Sequence, residues 1–295
     1  MIKLNGLYPP LPTSFKEDEE LYLTKIQENI KELCTHDLAG ILVLGSNGEL
    51  VMLSREEKKK VFEAAGKAIP GGKLLIAGSG AQSTRETIEV SKMAAGSGAD
   101  AVLVLNPSYY RGQMSGEALT RFYHDVADNS PAPVIIYNMP SNSGLDMDAD
   151  TILAASSHDN IIGLKDSGGN LVKMAAIIKN AKKGFQVLAG SAGFLLPALS
   201  IGAVGGILAL ANIAPGLCLD IYKSFRSGDM DSATQQQLRV VELNTAVTRK
   251  WGVPALKAAM DYLGMYGGPV RKPMLPFDGS LKDQLINLVN KTLSD

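Results

Sequence analysis

The 295-residue chain has few residues of the types that bind structural metals or form disulfides. Its two cysteines, Cys34 and Cys218, lie far apart and form no CxxC pair. Its three histidines, His36, His124 and His158, form no ligand-like cluster. We therefore expect no metal site, and the cysteine content fits a reducing compartment.

Long apolar runs and an excess of one charge sign are also missing. No stretch of about 18 uninterrupted apolar residues occurs, so we expect no membrane-spanning helix. The formal net charge is −1 and no basic stripe is present, which argues against nucleic acids and anionic membranes as partners. Residues 1–6 resemble neither a signal peptide nor an Arg-rich targeting sequence. These features predict a soluble, cytoplasmic protein.

Short aliphatic segments alternate with longer helical patterns along most of the chain. The predicted strands are Gly6–Pro12, Gly40–Leu44, Leu74–Ala77, Ala101–Leu105, Val134–Tyr137, Ile161–Lys165, Gln186–Ala189 and Val204–Leu208. Most are continuous apolar runs, which are typical of parallel strands buried on both faces. Eight such units predict an α/β fold, the TIM (β/α)8 barrel. A doubly wound sheet is the alternative.

Helix signals separate the strands and continue after the last one. Capping boxes at Ser54–Glu57 and Ser83–Glu86 predict two helix starts. No strand pattern follows Asn212, and four further helices are predicted at Leu217–Ser227, Met230–Arg249, Pro254–Tyr262 and Leu281–Leu293. We therefore divide the chain into a barrel over residues 1–211 and a C-terminal helical region over residues 212–295.

The most informative segment is an apolar strand that ends on an amine. Ile161–Lys165 runs into Asp166 and Ser167 and then two glycines, and the preceding strand ends on Tyr137. Active sites of TIM barrels lie at the C-terminal ends of the strands. Desolvation lowers the pKa of a lysine amine and favours the nucleophilic form, and a phenol can move the protons that imine formation requires. The pair predicts Schiff-base chemistry; the alternative is a solvent-exposed lysine and a core tyrosine.

Other polar residues and glycines follow neighbouring strands and are expected at the same end of the barrel: Ser46, Asn47, Glu49, Ser79, Tyr109, Tyr110, Gly190 and Ser191. The turn Gly45–Glu49 is suited to hold a carboxylate on backbone N–H groups, or is simply a tight turn that needs positive φ. Because residues two apart on a strand share a face, Ser167 is expected near Lys165 and Asp166 is expected to point away. Surface or interface positions are the alternative for the two tyrosines.

The order of the motifs G-S-N-G-E, Y-N-M-P and G-L-K resembles the class I pyruvate-dependent aldolase superfamily, over about Gly6 to Pro273. This superfamily contains dihydrodipicolinate synthase, N-acetylneuraminate lyase and 4-hydroxy-2-oxoglutarate aldolase. The motifs A-V-T-R at 246–249 and Y-G-G-P at 266–269 are most similar to the last of these. The resemblance implies a TIM barrel with C-terminal helices, a homotetramer, and imine chemistry without a metal or organic cofactor.

The resemblance also implies catalytic roles for four residues. Lys165 corresponds to the lysine that forms an imine with the 2-oxo carbon of pyruvate, and Tyr137 to the phenol that transfers protons. Ser46 stands where many relatives have the threonine that hydrogen-bonds this tyrosine. Tyr109 corresponds to a tyrosine that reaches across a dimer interface.

Substrate contacts are implied in the same way. The backbone N–H groups of Ser46 and Asn47 correspond to the site of the pyruvate carboxylate. Gly190 and Ile207 correspond to backbone positions that line the imine pocket. Asn47 and Ser167 are implied to contact the distal carboxylate of the substrate. The implied partner is therefore a small 2-oxo acid.

Several positions depart from dihydrodipicolinate synthase. Asn142 stands where that enzyme has an arginine that holds the aspartate semialdehyde carboxylate, and an asparagine offers no cationic fork. Ser46 and Asn47 replace its Thr-Thr pair, and Gln82 and Ser108 replace the Asn and Tyr of its lysine-feedback site. Lysine biosynthesis is therefore disfavoured.

We expect a carbon–carbon lyase that cleaves 4-hydroxy-2-oxoglutarate, or a close 2-oxo acid, to pyruvate and glyoxylate. Two alternatives lie in the same superfamily: a 2-keto-3-deoxy sugar acid aldolase and a 4-hydroxy-tetrahydrodipicolinate synthase with altered carboxylate binding. A non-catalytic oxo-acid binding protein is the alternative from another class. A phosphate-binding isomerase is weaker still, because the glycine loops lack basic residues.

Overall fold

Eight parallel strands lie at the centre of the structure, a computed structural model that describes residues 2–294. The strands are β1 (Gly6–Tyr8), β2 (Gly40–Val43), β3 (Leu74–Gly78), β4 (Ala101–Leu105), β5 (Val134–Asn138), β6 (Ile161–Asp166), β7 (Gln186–Ala189) and β8 (Gly205–Ile207). They are ordered β1-β8-β7-β6-β5-β4-β3-β2, and an isolated bridge from Pro10 to Leu42 links the two ends. The predicted TIM barrel is confirmed. Met1 and Asp295, the outer ends of the two predicted regions, lie outside the described residues.

Helices alternate with the strands and continue beyond β8. Those between strands are α1 (Leu23–Leu33), α2 (Arg55–Ala68), α3 (Thr84–Gly96), α4 (Gly116–Asn129), α5 (Pro140–Ser143), α6 (Ala149–Ser156), α7 (Leu171–Asn180) and α8 (Leu195–Ser200). Those after β8 are α9 (Pro215–Ser227), α10 (Met230–Thr245), α11 (Gly252–Tyr262) and α12 (Lys282–Leu293). Within residues 2–294, none of these helices has the length and apolar character that crossing a membrane would need.

Alternation along the strands separates two cores. In β2, Ile41 and Val43 belong to the large cluster beneath the helices, whereas Leu42 belongs to the smaller cluster inside the barrel. This period of two is the ordinary consequence of strand geometry. Tyr137 of β5 faces the same inner cluster, so the strand directs its phenol into the barrel.

One of the two predicted capping boxes forms completely, and the other forms only one of its two hydrogen bonds. Ser54 caps α2 with both hydrogen bonds of a capping box. Ser83 accepts from the Glu86 N–H at the start of α3, but the Glu86 carboxylate accepts from the Arg55 guanidinium instead of returning to Ser83. A charged donor holds a carboxylate more strongly than a backbone amide does, which explains the missing half.

The predicted helix over Met230–Arg249 is continuous but changes type. Its α-helical part, α10, ends at Thr245, and Ala246–Lys250 form a π-helix. The Trp251 N–H donates to the Ala246 carbonyl over 2.9 Å, a bond five residues back. Such π segments are rare and occur frequently at functional sites.

A buried ion pair joins the loop after β2 to the C-terminal helices. The side chains of Glu49 and Lys257 are almost wholly buried, and Lys257 Nζ lies 2.6 Å from Glu49 Oε1, an ion-pair contact without directed hydrogen-bond geometry. Glu49 Oε2 accepts from the Arg271 N–H over 2.9 Å. Burial lowers the pKa of Lys257 below its ordinary value, although Glu49 opposes this. The expectation that Glu49 faces the active site is wrong, because its carboxylate turns back to neutralise a buried lysine.

We expect Glu49→Gln to destabilise the protein by about 3–5 kcal/mol, because it leaves the Lys257 ammonium buried without a counter-charge. Denaturant unfolding of both proteins measures this difference. The double variant Glu49→Gln/Lys257→Met is the control. Its loss of unfolding free energy should be smaller than the sum of the losses in the two single variants, since no unpaired charge remains. Additive losses would contradict the ion-pair interpretation.

Candidate active site

Lys165 and Tyr137 lie side by side inside the barrel. They are Cα partners in the parallel pairing of β5 and β6. Lys165 is 3 % exposed and Tyr137 is 4 % exposed, and the lysine Nζ lies 4.1 Å from the centroid of the tyrosine ring. The structure therefore brings the predicted amine and phenol together in a desolvated place.

A local irregularity in β6 sets the direction of Lys165. Val134 pairs with Ile161 but the next residue, Ile135, pairs with Gly163, so Ile162 is an extra residue in the strand. Leu164 packs beneath the helices, and Lys165 occupies the inner face with Tyr137 because alternation restarts after the bulge. One inserted residue thus directs the amine into the barrel.

Ser46 contacts the phenol from the neighbouring loop. Its Oγ lies 3.3 Å from Tyr137 Oη, with either oxygen able to donate. Burial raises the pKa of the Tyr137 phenol, but the Lys165 charge and the Ser46 hydrogen bond, with weaker help from Ser167, lower it by more, so the net pKa lies below the ordinary value. A phenol of this kind gives up its proton more readily than an ordinary tyrosine, as a proton shuttle requires.

A cavity of about 630 Å³ surrounds the amine. Its lining includes seven of the predicted site residues: Ser46, Asn47, Tyr137, Lys165, Ser167, Gly190 and Ile207. An adjoining cavity of about 410 Å³ shares Ser46, Tyr137 and Asn142 with it. Together they provide room for a small substrate beside the amine.

The loop from Leu44 to Glu49 is suited to hold an anion. Its two flanking residues adopt left-handed backbone, with φ of +54° at Leu44 and +57° at Glu49. The Ser46 and Asn47 N–H groups donate to no protein acceptor among residues 2–294, and both residues line the cavity. Left-handed backbone at non-glycine residues costs energy and clusters at functional sites.

Gly45 and Gly48 are not needed for positive φ, which was the alternative explanation for the glycines of this loop. Neither Gly45 nor Gly48 has positive φ. A Cβ on Gly48 would lie 2.8 Å from the Leu44 Cα, so glycine is needed for a close backbone approach.

Ser167 lies in the cavity wall against the loop after β7. Its Oγ lies 3.5 Å from the Gly190 carbonyl oxygen, and a Cβ on Gly190 would come within 2.0 Å of that Oγ. Glycine at 190 therefore leaves the space that the serine hydroxyl occupies.

Asp166 points away from the cavity, as predicted, and shapes the loop behind the lysine. Its Oδ1 accepts from the N–H groups of Gly168 and Gly169 over 2.9 and 3.1 Å. Its Oδ2 accepts from Asn138 Nδ2 over 2.8 Å and lies 3.4 Å from Lys173 Nζ. This turn is recognisable in the sequence, because an Asp that is followed closely by glycines is a turn signal, but its role behind the lysine was not predicted.

Tyr109 lies outside the cavity of its own chain. It is 80 % exposed and contacts Tyr110 edge-to-face, with ring centroids 5.1 Å apart. Gln82 Oε1 accepts from the N–H groups of Ser108 and Tyr109, each over 2.9 Å, and so fixes this loop. Within residues 2–294, Tyr109 is not among the residues that line the cavity around Lys165.

Ser79 follows β3 and was expected at the active site, but this prediction is wrong. It is fully buried, and its hydroxyl accepts from Ser91 Oγ over 2.9 Å. This hydrogen bond joins the end of β3 to α3, and Ser79 is not among the residues that line the cavity around Lys165.

The π-helical segment supplies cavity residues that were not predicted as site residues. Val247, Thr248 and Arg249 line the cavity around Lys165. Asn244 Nδ2 donates to Ser191 Oγ over 3.0 Å and holds the end of α10 against the loop after β7. The A-V-T-R motif was visible, but nothing local indicated that it faces the site.

Comparison with known proteins places these features in one family. The model of the dihydrodipicolinate synthetase family matches residues 3–292. A probable mitochondrial 4-hydroxy-2-oxoglutarate aldolase of Emericella nidulans is 40 % identical over 91 % of this chain and 88 % of its own length. An L-threo-3-deoxy-hexylosonate aldolase of Hypocrea jecorina is 35 % identical over 91 % and 90 %. A 4-hydroxy-tetrahydrodipicolinate synthase of Methanothrix thermoacetophila is 32 % identical over 97 % and 96 %.

Solved structures show the same architecture. A dihydrodipicolinate synthase from Bacillus anthracis superimposes with a TM-score of 0.94 at 26 % identity, covering 98 % of this chain and 99 % of its own. A prophage protein of the dihydrodipicolinic acid synthase family from E. coli K12, in complex with pyruvate, gives a TM-score of 0.90 at 30 % identity and 99 % coverage of both chains.

Proposed function

Because the chain belongs to the dihydrodipicolinate synthetase family, we propose that it is a Schiff-base class I aldolase that cleaves 4-hydroxy-2-oxoglutarate, or a close 2-oxo acid, to pyruvate and glyoxylate. The observation that carries the proposal is the contact of a buried amine with a buried phenol of lowered pKa, 4.1 Å from amine to ring centroid. Carbon–carbon lyase activity agrees with the family and with the aldolase names of two relatives.

The first half of the reaction forms the imine. The neutral Lys165 nitrogen attacks the C2 ketone and gives a carbinolamine. Tyr137, relayed through Ser46, moves protons so that the oxygen leaves as water and a protonated imine remains. Transfer of a proton from the Lys165 ammonium to the Tyr137 phenolate supplies the neutral amine for the attack and the protonated phenol for the loss of water.

The second half breaks the carbon–carbon bond. The Tyr137 phenolate takes the C4 hydroxyl proton, the C3–C4 electron pair moves into the imine to form an enamine, and glyoxylate leaves. The enamine carbon takes a proton back from Tyr137, and water hydrolyses the imine to pyruvate and free Lys165. The imine is the electron sink in this scheme, so no cofactor takes part.

Substrate contacts follow from the cavity lining. We assign the 2-oxo acid carboxylate to the free N–H groups of Ser46 and Asn47, beside the imine pocket lined by Gly190 and Ile207. The Asn47 and Ser167 side chains are assigned to the distal end of the substrate.

Asn142 argues against one superfamily substrate, the aspartate semialdehyde of a dihydrodipicolinate synthase. This residue lines the cavity but carries no charge, so it cannot replace the arginine of a dihydrodipicolinate synthase. The greater identity to the 4-hydroxy-2-oxoglutarate aldolase, 40 % against 32 % for the synthase, supports the same choice. A deoxy-sugar acid aldolase is the second candidate, because such a relative is 35 % identical.

Borohydride reduction tests the proposal directly. In the presence of pyruvate, we expect a stable adduct on Lys165, located by peptide mass spectrometry, and no adduct without pyruvate. Pyruvate release from a panel of aldol substrates then ranks the candidates. Absence of an adduct on Lys165 would end the imine mechanism, whatever the substrate.

Assembly and compartment belong to the same proposal. An exposed Tyr109 that misses its own cavity is what a residue serving a neighbouring subunit in a homotetramer would show. Both cysteines are free thiols, which agrees with a reducing cytoplasm. A crystal structure of the pyruvate adduct tests the assembly, because the Tyr109 hydroxyl must then lie within hydrogen-bond distance of the site in a neighbouring subunit.

A further inference from the structure

The cavity around Lys165 carries an uneven set of charges. Among residues 2–294, its lining includes two cationic side chains, Lys165 and Arg249, and no carboxylate. Its other polar lining residues are neutral: Ser46, Asn47, Tyr137, Ser141, Asn142, Ser167, Ser191 and Thr248. A concave site with charge of one sign attracts ligands of the opposite sign, so this cavity favours anions with more than one negative group.

The two cations serve different parts of such a ligand. Once the imine forms, the Lys165 nitrogen is bonded to C2, and the adjacent C1 carboxylate lies at the Ser46 and Asn47 N–H groups. Within the described lining, Arg249 is then the remaining positive side chain for a second carboxylate. Asn142 contributes only a neutral amide.

The backbone at Arg249 is held in place, whereas its guanidinium has no ion-pair partner among residues 2–294. The residue lies in the π-helix Ala246–Lys250, which Asn244 anchors to Ser191. Within residues 2–294, the Arg249 guanidinium forms no ion pair of 4.0 Å or less, unlike Arg55 and Arg271. A guanidinium offers a planar fork that matches a carboxylate in two parallel hydrogen bonds.

We propose that Arg249 binds the distal carboxylate of a 2-oxo dicarboxylate substrate and thereby selects a carboxylated aldehyde as the released product. The inference rests on the proposed function, since it takes the imine at Lys165 as given. Asn47 and Ser167 supply neutral hydrogen bonds at this end of the substrate, and Arg249 supplies the charge.

A pair of substrates that differ only at the distal group tests this role. For Arg249→Gln, we expect kcat/KM for 4-hydroxy-2-oxoglutarate to fall on the order of tenfold or more, mainly through KM, because a charged hydrogen-bond partner is lost. For 4-hydroxy-2-oxopentanoate, whose methyl group replaces the distal carboxylate, we expect no change. Arg249→Lys should recover part of the loss, since it keeps the charge without the fork.

Salt dependence and a neighbouring lysine provide controls. Arg249 is exposed to solvent, so added salt should raise KM for the dicarboxylate in the wild type and much less in Arg249→Gln. Lys250 is the next residue on the same π-helix and packs over the Trp251 ring, 4.3 Å from its centroid. Lys250→Gln removes a positive charge outside the cavity lining, and kcat/KM should therefore be unchanged for both substrates.

The outcomes separate this inference from the proposed function. Equal losses on both substrates, or no loss on the dicarboxylate, would overturn the role of Arg249 while leaving the aldolase mechanism intact. Borohydride trapping of pyruvate should be equal in wild type and Arg249→Gln. Failure of trapping in the wild type would instead refute the imine mechanism.

Discussion

Replacement of Lys165 by methionine is expected to abolish the adduct with pyruvate and to reduce kcat by roughly four orders of magnitude or more, as loss of a covalent nucleophile does elsewhere. Methionine has a similar volume and suits the 3 % exposed position, so the barrel should remain folded. Initial rates of pyruvate release with a coupled dehydrogenase measure the effect.

Two further variants make the Lys165 result interpretable. Lys165→Arg keeps a positive charge but cannot form an imine, so it should be as inactive as the methionine variant. Lys250→Met removes an exposed lysine outside the cavity and should retain wild-type rates. Cleavage at an undiminished rate in Lys165→Met would refute the proposed chemistry.

Tyr137→Phe is expected to lower kcat by about 10²- to 10⁴-fold, the usual contribution of a positioned proton-transfer group. Its Oη lies 3.3 Å from Ser46 Oγ, and the phenylalanine fills the same space without the oxygen. Imine trapping with pyruvate should persist but form more slowly, because Lys165 is still present. An unchanged kcat would show that another group carries the protons.

Tyr123 provides the matched control for this substitution. It is fully buried beneath the helices, and its hydroxyl donates to the Val104 carbonyl over 3.1 Å. Tyr123→Phe therefore removes one buried phenol oxygen outside the cavity. We expect a modest loss of stability and an unchanged kcat.

The same variants allow the Tyr137 pKa to be located by ultraviolet titration of phenolate. The phenolate signal that is present in the wild type and absent from Tyr137→Phe belongs to Tyr137. Its titration midpoint should lie below the ordinary tyrosine pKa of 10.0, because the Lys165 charge and hydrogen bonds outweigh burial. The absorbance lost in Tyr123→Phe should titrate above it, because burial raises that pKa. In Lys165→Met, the Tyr137 midpoint should move to higher pH, since burial then acts without the opposing charge. A Tyr137 midpoint that ignores Lys165 would contradict the electrostatic coupling.

Much of the barrel could be predicted because its strands are short apolar runs whose ends carry polar residues. The tips of β5 and β6 bear Tyr137 and Lys165, and parallel pairing places both at one end of the barrel. The bulge at Ile162 could not be predicted, since simple alternation from Ile161 would not reveal an extra residue. It arises from pairing with β5, which is a tertiary contact.

Other parts of the site depend on contacts between distant segments. Glu49 follows a strand like Ser46 does, yet its carboxylate is held by Lys257 far along the chain. Arg249 lies in a π-helix whose position against the β7 loop depends on the Asn244–Ser191 hydrogen bond. No local pattern encodes either arrangement, because each is decided by which partner packs against it.

The residues that line the cavity come from two separate parts of the sequence, the barrel strands and the π-helix. Lys165 and Tyr137, the proposed imine-forming and proton-transfer residues, lie on two adjacent strands, whereas part of the cavity wall comes from Ala246–Lys250, which follow all eight strands in sequence. Under the proposed role of Arg249, we expect substitutions in that segment to change the preference for the released aldehyde while the proposed chemistry at Lys165 is retained. Enzymes of one lineage can thus diverge in acceptor preference through changes at a few neighbouring positions, while inheriting the same carbon chemistry.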